Sequence, residues 1–149
     1  AGSETLTAGF AANWQRDEYA DQSALGLTAT RGTTFTADLG WTPRSGQHLD
    51  LWLSRDDYDS DQAGWSFRGT SLPADLGDPG RRWEVALRDR VDSAGLGWRG
   101  ALPAAGLDGG VDYVWSLGRS AVATRTGTSL TNAPLPDTVS RIQRLDLYL

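Results

Sequence analysis

Apolar and polar residues alternate with a period of two along most of this chain, and that period belongs to strands whose successive side chains point to opposite faces. Leu6, Ala8, Phe10, Ala12 and Trp14 oppose Thr7, Gly9, Ala11 and Asn13. Phe35, Ala37, Leu39 and Trp41 oppose Thr34, Thr36, Asp38 and Gly40, and Leu49, Leu51 and Leu53 oppose His48, Asp50, Trp52 and Ser54. Further on, Val111, Tyr113, Trp115 and Leu117 oppose Gly110, Asp112, Val114 and Ser116, while Leu145, Leu147 and Leu149 oppose Arg144, Asp146 and Tyr148. One stretch behaves differently. Trp83, Val85 and Leu87 alternate with one parity and Ala94, Leu96 and Trp98 with the other, across Asp89-Arg-Val-Asp92. A β-bulge would cause such a reversal, and so would a strand whose upper half has left a membrane. About six strands and no helical period of comparable quality make the chain all-β.

The connections sort by length. Short turns at 43–46 and 100–106 follow Trp41 and Trp98, whereas the segments 19–32, 58–80 and 120–137 read as long polar loops. A soluble sandwich has no reason to sort its connections in this way, but outer-membrane barrels have short periplasmic turns and long extracellular loops. The pattern therefore predicts an antiparallel up-and-down transmembrane β-barrel. Its three long loops should project from one end of the sheet and its two short turns from the other. Trp41 and Trp98 would then lie at one interface, as in an aromatic girdle.

Composition narrows the function. With 149 residues there is room for one domain, read here as a single barrel segment spanning 1–149. The net charge of -5 and the absence of a Lys/Arg run argue against nucleic acid. All 14 basic residues are arginine. Zero cysteine excludes disulfides, thiolate metal sites and covalent c-type haem attachment within this chain. No apolar run approaches the ~18 residues of a transmembrane helix, a fact that does not bear on membrane strands. The first residues lack the charged and apolar regions of a signal peptide, so a processed or internal piece is expected.

Several stretches resemble a known family. They are Gly-Leu-Thr-Ala-Thr-Arg-Gly at 26–32, Phe35-Thr-Ala-Asp-Leu-Gly-Trp-Thr-Pro43, Asp56-Asp-Tyr-Asp-Ser-Asp-Gln62, Asp89-Arg-Val-Asp-Ser-Ala-Gly-Leu-Gly-Trp98, Gly109-Gly-Val-Asp-Tyr113 and Leu135-Pro-Asp-Thr-Val-Ser-Arg-Ile-Gln-Arg144. These resemble strand–turn–strand units of the decahaem-associated outer-membrane barrel proteins of the MtrB/PioB type. The resemblance covers nearly the whole chain. It implies a bacterial outer-membrane barrel of more than twenty strands, sheathing a periplasmic multihaem c-type cytochrome and supporting electron transfer across the membrane. An extracellular cytochrome is a further partner of that kind. Haem would belong to the partner, with no cofactor bound by this chain. The Cys-x-x-Cys near the mature N-terminus of some members is missing here. Six strands are too few to close even an eight-stranded barrel, so a segment of a larger barrel is expected.

The candidate functional residues follow from parity. Leu6, Phe10, Phe35, Leu39, Trp41, Leu49, Leu51, Leu53, Leu96, Trp98, Val111, Trp115, Leu145 and Leu147 should face lipid. Thr36, Asp38, Gly40, Asp50, Ser54, Gly95, Gly97, Asp112, Ser116, Arg144 and Asp146 should line the lumen and meet the partner. Small residues there either suit a tightly curved sheet or leave room for that partner. Asp57-Tyr-Asp59-Ser-Asp61 begins like an EF-hand, but Gln62 and Arg68 stand where Gly and Glu are required, so it reads as a solvated surface loop. His48, the lone histidine, has no second metal ligand or positioned nucleophile beside it in sequence, and the chain reads as non-enzymatic. A diffusion porin and a soluble β-sandwich are the alternatives.

Overall fold

The computed structural model describes residues 4–19, 26–44, 46–66, 77–102 and 106–149. Six strands form one antiparallel sheet: β1 Thr5–Glu18, β2 Gly26–Arg44, β3 Gln47–Trp65, β4 Arg82–Leu102, β5 Leu107–Thr126 and β6 Thr138–Tyr148. They pair in sequence order, so every connection is a hairpin. β1 and β6 each pair on one side only and the sheet is open. A 3-10 turn, Pro79–Arg81, leads into β4, with the Asp78 carboxylate accepting from the Gly80 N–H at 2.9 Å. No α-helix occurs among the described residues.

Hairpin topology fixes the ends. The β1–β2, β3–β4 and β5–β6 connections leave one end of the sheet, and β2–β3 and β4–β5 leave the other. Gly46 and Gly106 sit in the two short turns with φ of 79° and 64°, a region an L side chain rarely adopts. Parts of the sorted connections, 20–25, 45, 67–76 and 103–105, lie outside the described residues.

The strands are longer than alternation suggested. β2 begins at Gly26 instead of Thr34, β3 continues through the whole aspartate run to Trp65, and β5 extends to Thr126. Much of what reads as loop at 19–32, 58–80 and 120–137 is therefore sheet. The reason is that both faces of these extensions carry polar groups. A strand with two polar faces loses its period-two signature while its backbone ladder is unaffected. Asp57, Asp59 and Asp61 stand on one side of β3, opposite Arg90, Arg88 and Ala86 of β4. An extended strand cannot fold round a cation as an EF-hand loop does.

β4 resolves the reversed parity. Its pairing with β3 runs without a shift from Gln47↔Gly100 to Trp65↔Arg82, and with β5 from Trp83↔Thr126 to Leu102↔Leu107. There is no bulge at Asp89–Asp92. The reversal lies in the chemistry of the two faces and leaves the backbone untouched.

One sheet has no second layer to pack on. Ala63 is the one buried hydrophobic residue among those described, and Trp41, Leu51 and Phe10 are 39%, 41% and 73% exposed. The chain exposes 10470 Å², against about 7,400 Å² for a folded soluble monomer of its mass. A sandwich would bury Trp41 and Trp98 between layers; that alternative is overturned.

The register can be checked in the cysteine-free background. Leu87→Cys with Val122→Cys, which are direct partners, should form a disulfide in the folded protein. Leu87→Cys with Ala121→Cys should crosslink poorly, because those side chains project to opposite faces. Non-reducing mass spectrometry reads the outcome, and preferential linkage to position 121 would put a bulge back into β4.

Candidate functional site

Apart from shifts at the two ends of the β2–β3 pairing, between Leu27 and Ala29 and between Trp41 and Arg44, the register is continuous, and each residue's face follows from its pairing partners. Rows of directly opposed residues cross the sheet, for example Leu6–Trp41–Leu49–Trp98–Val111–Leu147. The next row is Ala8–Leu39–Leu51–Leu96–Tyr113–Leu145, followed by Phe10–Ala37–Leu53–Ala94–Trp115–Gln143. With Phe35 one row further, all fourteen apolar positions selected by parity share one side, here termed the Leu51 face. Trp41 and Trp98 fall in the same row at the short-turn end, and Trp41 Nε1 donates to Glu4 Oε1 at 3.0 Å.

The eleven small and polar positions share the other side, the Asp50 face. One row there is Thr7–Gly40–Asp50–Gly97–Asp112–Asp146, and the next is Gly9–Asp38–Trp52–Gly95–Val114–Arg144. These two rows bring Asp38, Asp50, Asp112 and Asp146 from four strands into one depression of about 640 Å³. His48 Nε2 lies 2.7 Å from Asp50 Oδ1, while His48 Nδ1 meets the Thr42 hydroxyl at 3.0 Å. Arg144 Nε lies 2.7 Å from Asp146 Oδ2. Asp38 and Asp112 have no ion pair among the described residues. The negative bias of the depression rests on those two together with Asp50, whose partner His48 is charged only when protonated.

Gly40, Gly95, Gly97 and Gly110 on this face do not leave empty space, whereas an added Cβ on Gly32, higher on the same face, would meet nothing within 4 Å. A Cβ on Gly97 would stand 2.7 Å from Asp112 Oδ1, and one on Gly95 would collide with the Trp52 indole. Thr7 and Tyr148 similarly lean over Gly40 and Gly110. In each of these four cases the space is taken by the chain's own cross-strand neighbour, so the glycines let bulky or charged side chains lie flat against the sheet. Ser93 and Ser116 continue the face upward, with their hydroxyls 3.0 Å apart. Parity selection passed over five residues on this side of the depression: Thr7, His48, Trp52, Arg99 and Val114. All five fall on the Asp50 face by their pairing. Arg99 Nε donates to the Tyr148 hydroxyl at 2.9 Å.

Above Ser93 both faces change character. On the Leu51 face, Arg55 Nε meets Asp92 Oδ1 and Arg90 Nε meets Asp57 Oδ1, both at 2.6 Å. On the Asp50 face the intervening and higher rows carry Val91, Leu87, Val85 and Trp83 on β4 and Val122 on β5, beside the polar Asp56, Asp89 and Ser120. No group of three or more metal-ligating side chains occurs among the described residues.

These features are a single up-and-down sheet, an apolar side with two tryptophans in one row, and connections at opposite ends. Residues 2–149 match the model of the family described as "Putative outer membrane beta-barrel porin, MtrB/PioB". No curated protein and no solved structure matches the chain. The family match spans nearly the full sequence and agrees with the open all-β sheet, and the chain belongs to the MtrB/PioB family of outer-membrane β-barrel porins.

Proposed function

We propose that this chain is wall, not enzyme. Its Leu51 face lies against outer-membrane lipid, and its Asp50 face holds a periplasmic multihaem c-type cytochrome inside the barrel, so that the partner's haems carry electrons across the membrane. The redox chemistry belongs to those haems, and the wall contributes position and insulation. Short turns then lie on the periplasmic side and the longer connections outside, as in barrels of this class.

The observation that favours a protein-filled lumen over an open channel is the apolar run that β4 presents on the Asp50 face above Ser93. The lumen of a diffusion porin is polar and wet. Here the wall's outward side becomes charged while Trp83, Val85, Leu87, Val91 and Val122 stand on the lumen side. Apolar side chains facing an aqueous pore would gain nothing, whereas against a protein they remove about 25 cal/mol per Å² of apolar surface from water. Lower down, the unpaired Asp38 and Asp112 offer a negative surface to basic groups of the partner, a match that sets register more than raw affinity. An extracellular cytochrome meeting the complex at the long-loop end completes the route.

Three outcomes test this reading in the full-length protein. First, Leu51→Arg should destabilise the barrel in lipid by about 2–4 kcal/mol if the position sits near the midplane, measured by denaturant unfolding in vesicles. No loss would deny lipid contact. Second, Asp38→Asn with Asp112→Asn should reduce cytochrome co-purification at low ionic strength, and the difference from wild type should fade as salt screens exposed charges. Asp146, paired with Arg144, should matter less. Third, Leu87→Asn should reduce haem stoichiometry about equally at low and high salt. Unchanged stoichiometry in both sets of variants would favour the porin reading.

A further inference from the structure

On the Leu51 face every strand meets an arginine just beyond its apolar run, always toward the long-connection end. Arg16 is the first same-face position past Trp14 on β1, Arg55 the first past Leu53 on β3, and Arg119 the first past Leu117 on β5. On β2, β4 and β6 the second position is Arg31 past Phe35, Arg90 past Ala94 and Arg141 past Leu145. Counting outward from there, nine of the chain's 14 arginines stand on this part of the face, against six carboxylates. The short-turn end has no such belt. The positions beyond the apolar rows there are Glu4, Gln47, Gly100, Gly109 and Leu149, and Arg44, opposite Gln47, is the one arginine beside them among the described residues.

Pairing within the sheet explains only part of this arrangement, setting Arg31 and Arg88 opposite Asp59, Arg90 opposite Asp57 and Arg125 opposite Glu84. Arg90 is directly opposite Arg119, and Arg16 directly opposite Arg31. Like charges opposed across strands are destabilising unless an anion lies between them. Arg16 bonds Glu18, Arg55 bonds Asp92 and Arg90 bonds Asp57. Arg31, Arg119 and Arg141 are exposed and make no ion pair among the described residues. Even with Asp59 and Asp61 counted, nine arginines against six carboxylates leave the belt an excess of positive charge in a chain whose net charge is -5.

We propose that this belt binds the phosphate groups of lipid headgroups in the leaflet at the long-connection end. The inference rests on the reading that the Leu51 face lies in lipid, and it adds a ligand class and a leaflet. Guanidinium suits a phosphate at an interface. Its planar fork matches phosphate oxygens two at a time, and its long stem lies along apolar surface while its head reaches the polar layer. A phosphate between Arg90 and Arg119 would turn a repulsive pair into a shared clamp, and Arg141 and Arg31 extend the belt to either side.

The test uses the full-length protein in nanodiscs of zwitterionic phospholipid containing lipid A, a bisphosphorylated glycolipid, or its dephosphorylated form. Retained glycolipid per barrel is read by native mass spectrometry. The variant Arg31→Gln, Arg90→Gln, Arg119→Gln, Arg141→Gln should need about tenfold more lipid A for half-occupancy than wild type. The two proteins should not differ toward the dephosphorylated form. Without lipid A, Arg119→Gln alone should leave stability unchanged or raise it, because the opposed charges are relieved. Equal retention of lipid A by variant and wild type would overturn the proposal, as would equal retention of both glycolipids by wild type. Complete displacement of lipid A by millimolar inorganic phosphate would show a free-anion site instead and overturn it too. A nitroxide on Leu96→Cys in the same discs separates the two levels. Oxygen-accessible label with no phosphate dependence sinks the belt alone, whereas label exposed to water sinks the lipid reading with it.

Discussion

A sheet one layer thick cannot make its own core. Antiparallel pairing satisfies the backbone of β2 to β5 on both sides, but it leaves every side chain on one of two open faces. Whatever covers those faces comes from outside the described chain. That is why Ala63 is the one buried hydrophobic residue described, and why leucines and tryptophans stand exposed in orderly rows. In a bilayer the same arrangement becomes favourable. Internally paired backbone is the condition for crossing hydrocarbon, and an apolar face needs no further partner there. The open edges of β1 and β6 must likewise be paired wherever they lie in hydrocarbon, as closure of a barrel does.

The unbroken register turns each change of composition into a change of environment. Below the Arg55–Asp92 pair the Leu51 face is apolar and the Asp50 face polar. Above it the Leu51 face becomes charged and the Asp50 face gains apolar side chains on β4, with no bulge in β4 to re-aim them. On the proposed placement in the membrane, one ladder passes through two surroundings, with ion pairs at the boundary. Charge follows the same division. Arginines collect outside, and aspartates such as Asp38 and Asp112 collect on the other face, where two glycines let them lie flat against the sheet.

How much of this could be read from the sequence depended on whether the two faces differed. Where leucine alternated with small or polar residues, as at 49–53 and 94–98, parity alone assigned the face, and the structure groups those residues accordingly. Where the two faces did not contrast, the signal vanished: 26–32, 58–65 and 120–126 read as loop although they are strand. The aspartate run read as a solvated surface loop for the same reason, since a charged strand and a solvated loop share a composition. At β4 the reversal was visible but its cause was not, because a bulge and a change of surroundings produce the same string of letters. The depression on the Asp50 face was half legible. Its aspartates followed from parity, but the seating of Trp52 over Gly95 and the bridging of Thr42 to Asp50 by His48 depend on cross-strand neighbours that one sequence does not reveal.

The central claim is that β4 passes from lipid into water without a break in its register. Nitroxide labels placed singly at each position from 84 to 98, in the full-length protein in vesicles, test it most directly by comparing collision with oxygen and with a water-soluble nickel chelate. The account predicts strong oxygen and weak nickel accessibility at 94, 96 and 98, with nickel accessibility taking over at 84, 88, 90 and 92 on the same face. Oxygen-dominated accessibility at 85, 87 and 91 would contradict it, because it would place the lumen side of this strand in the membrane.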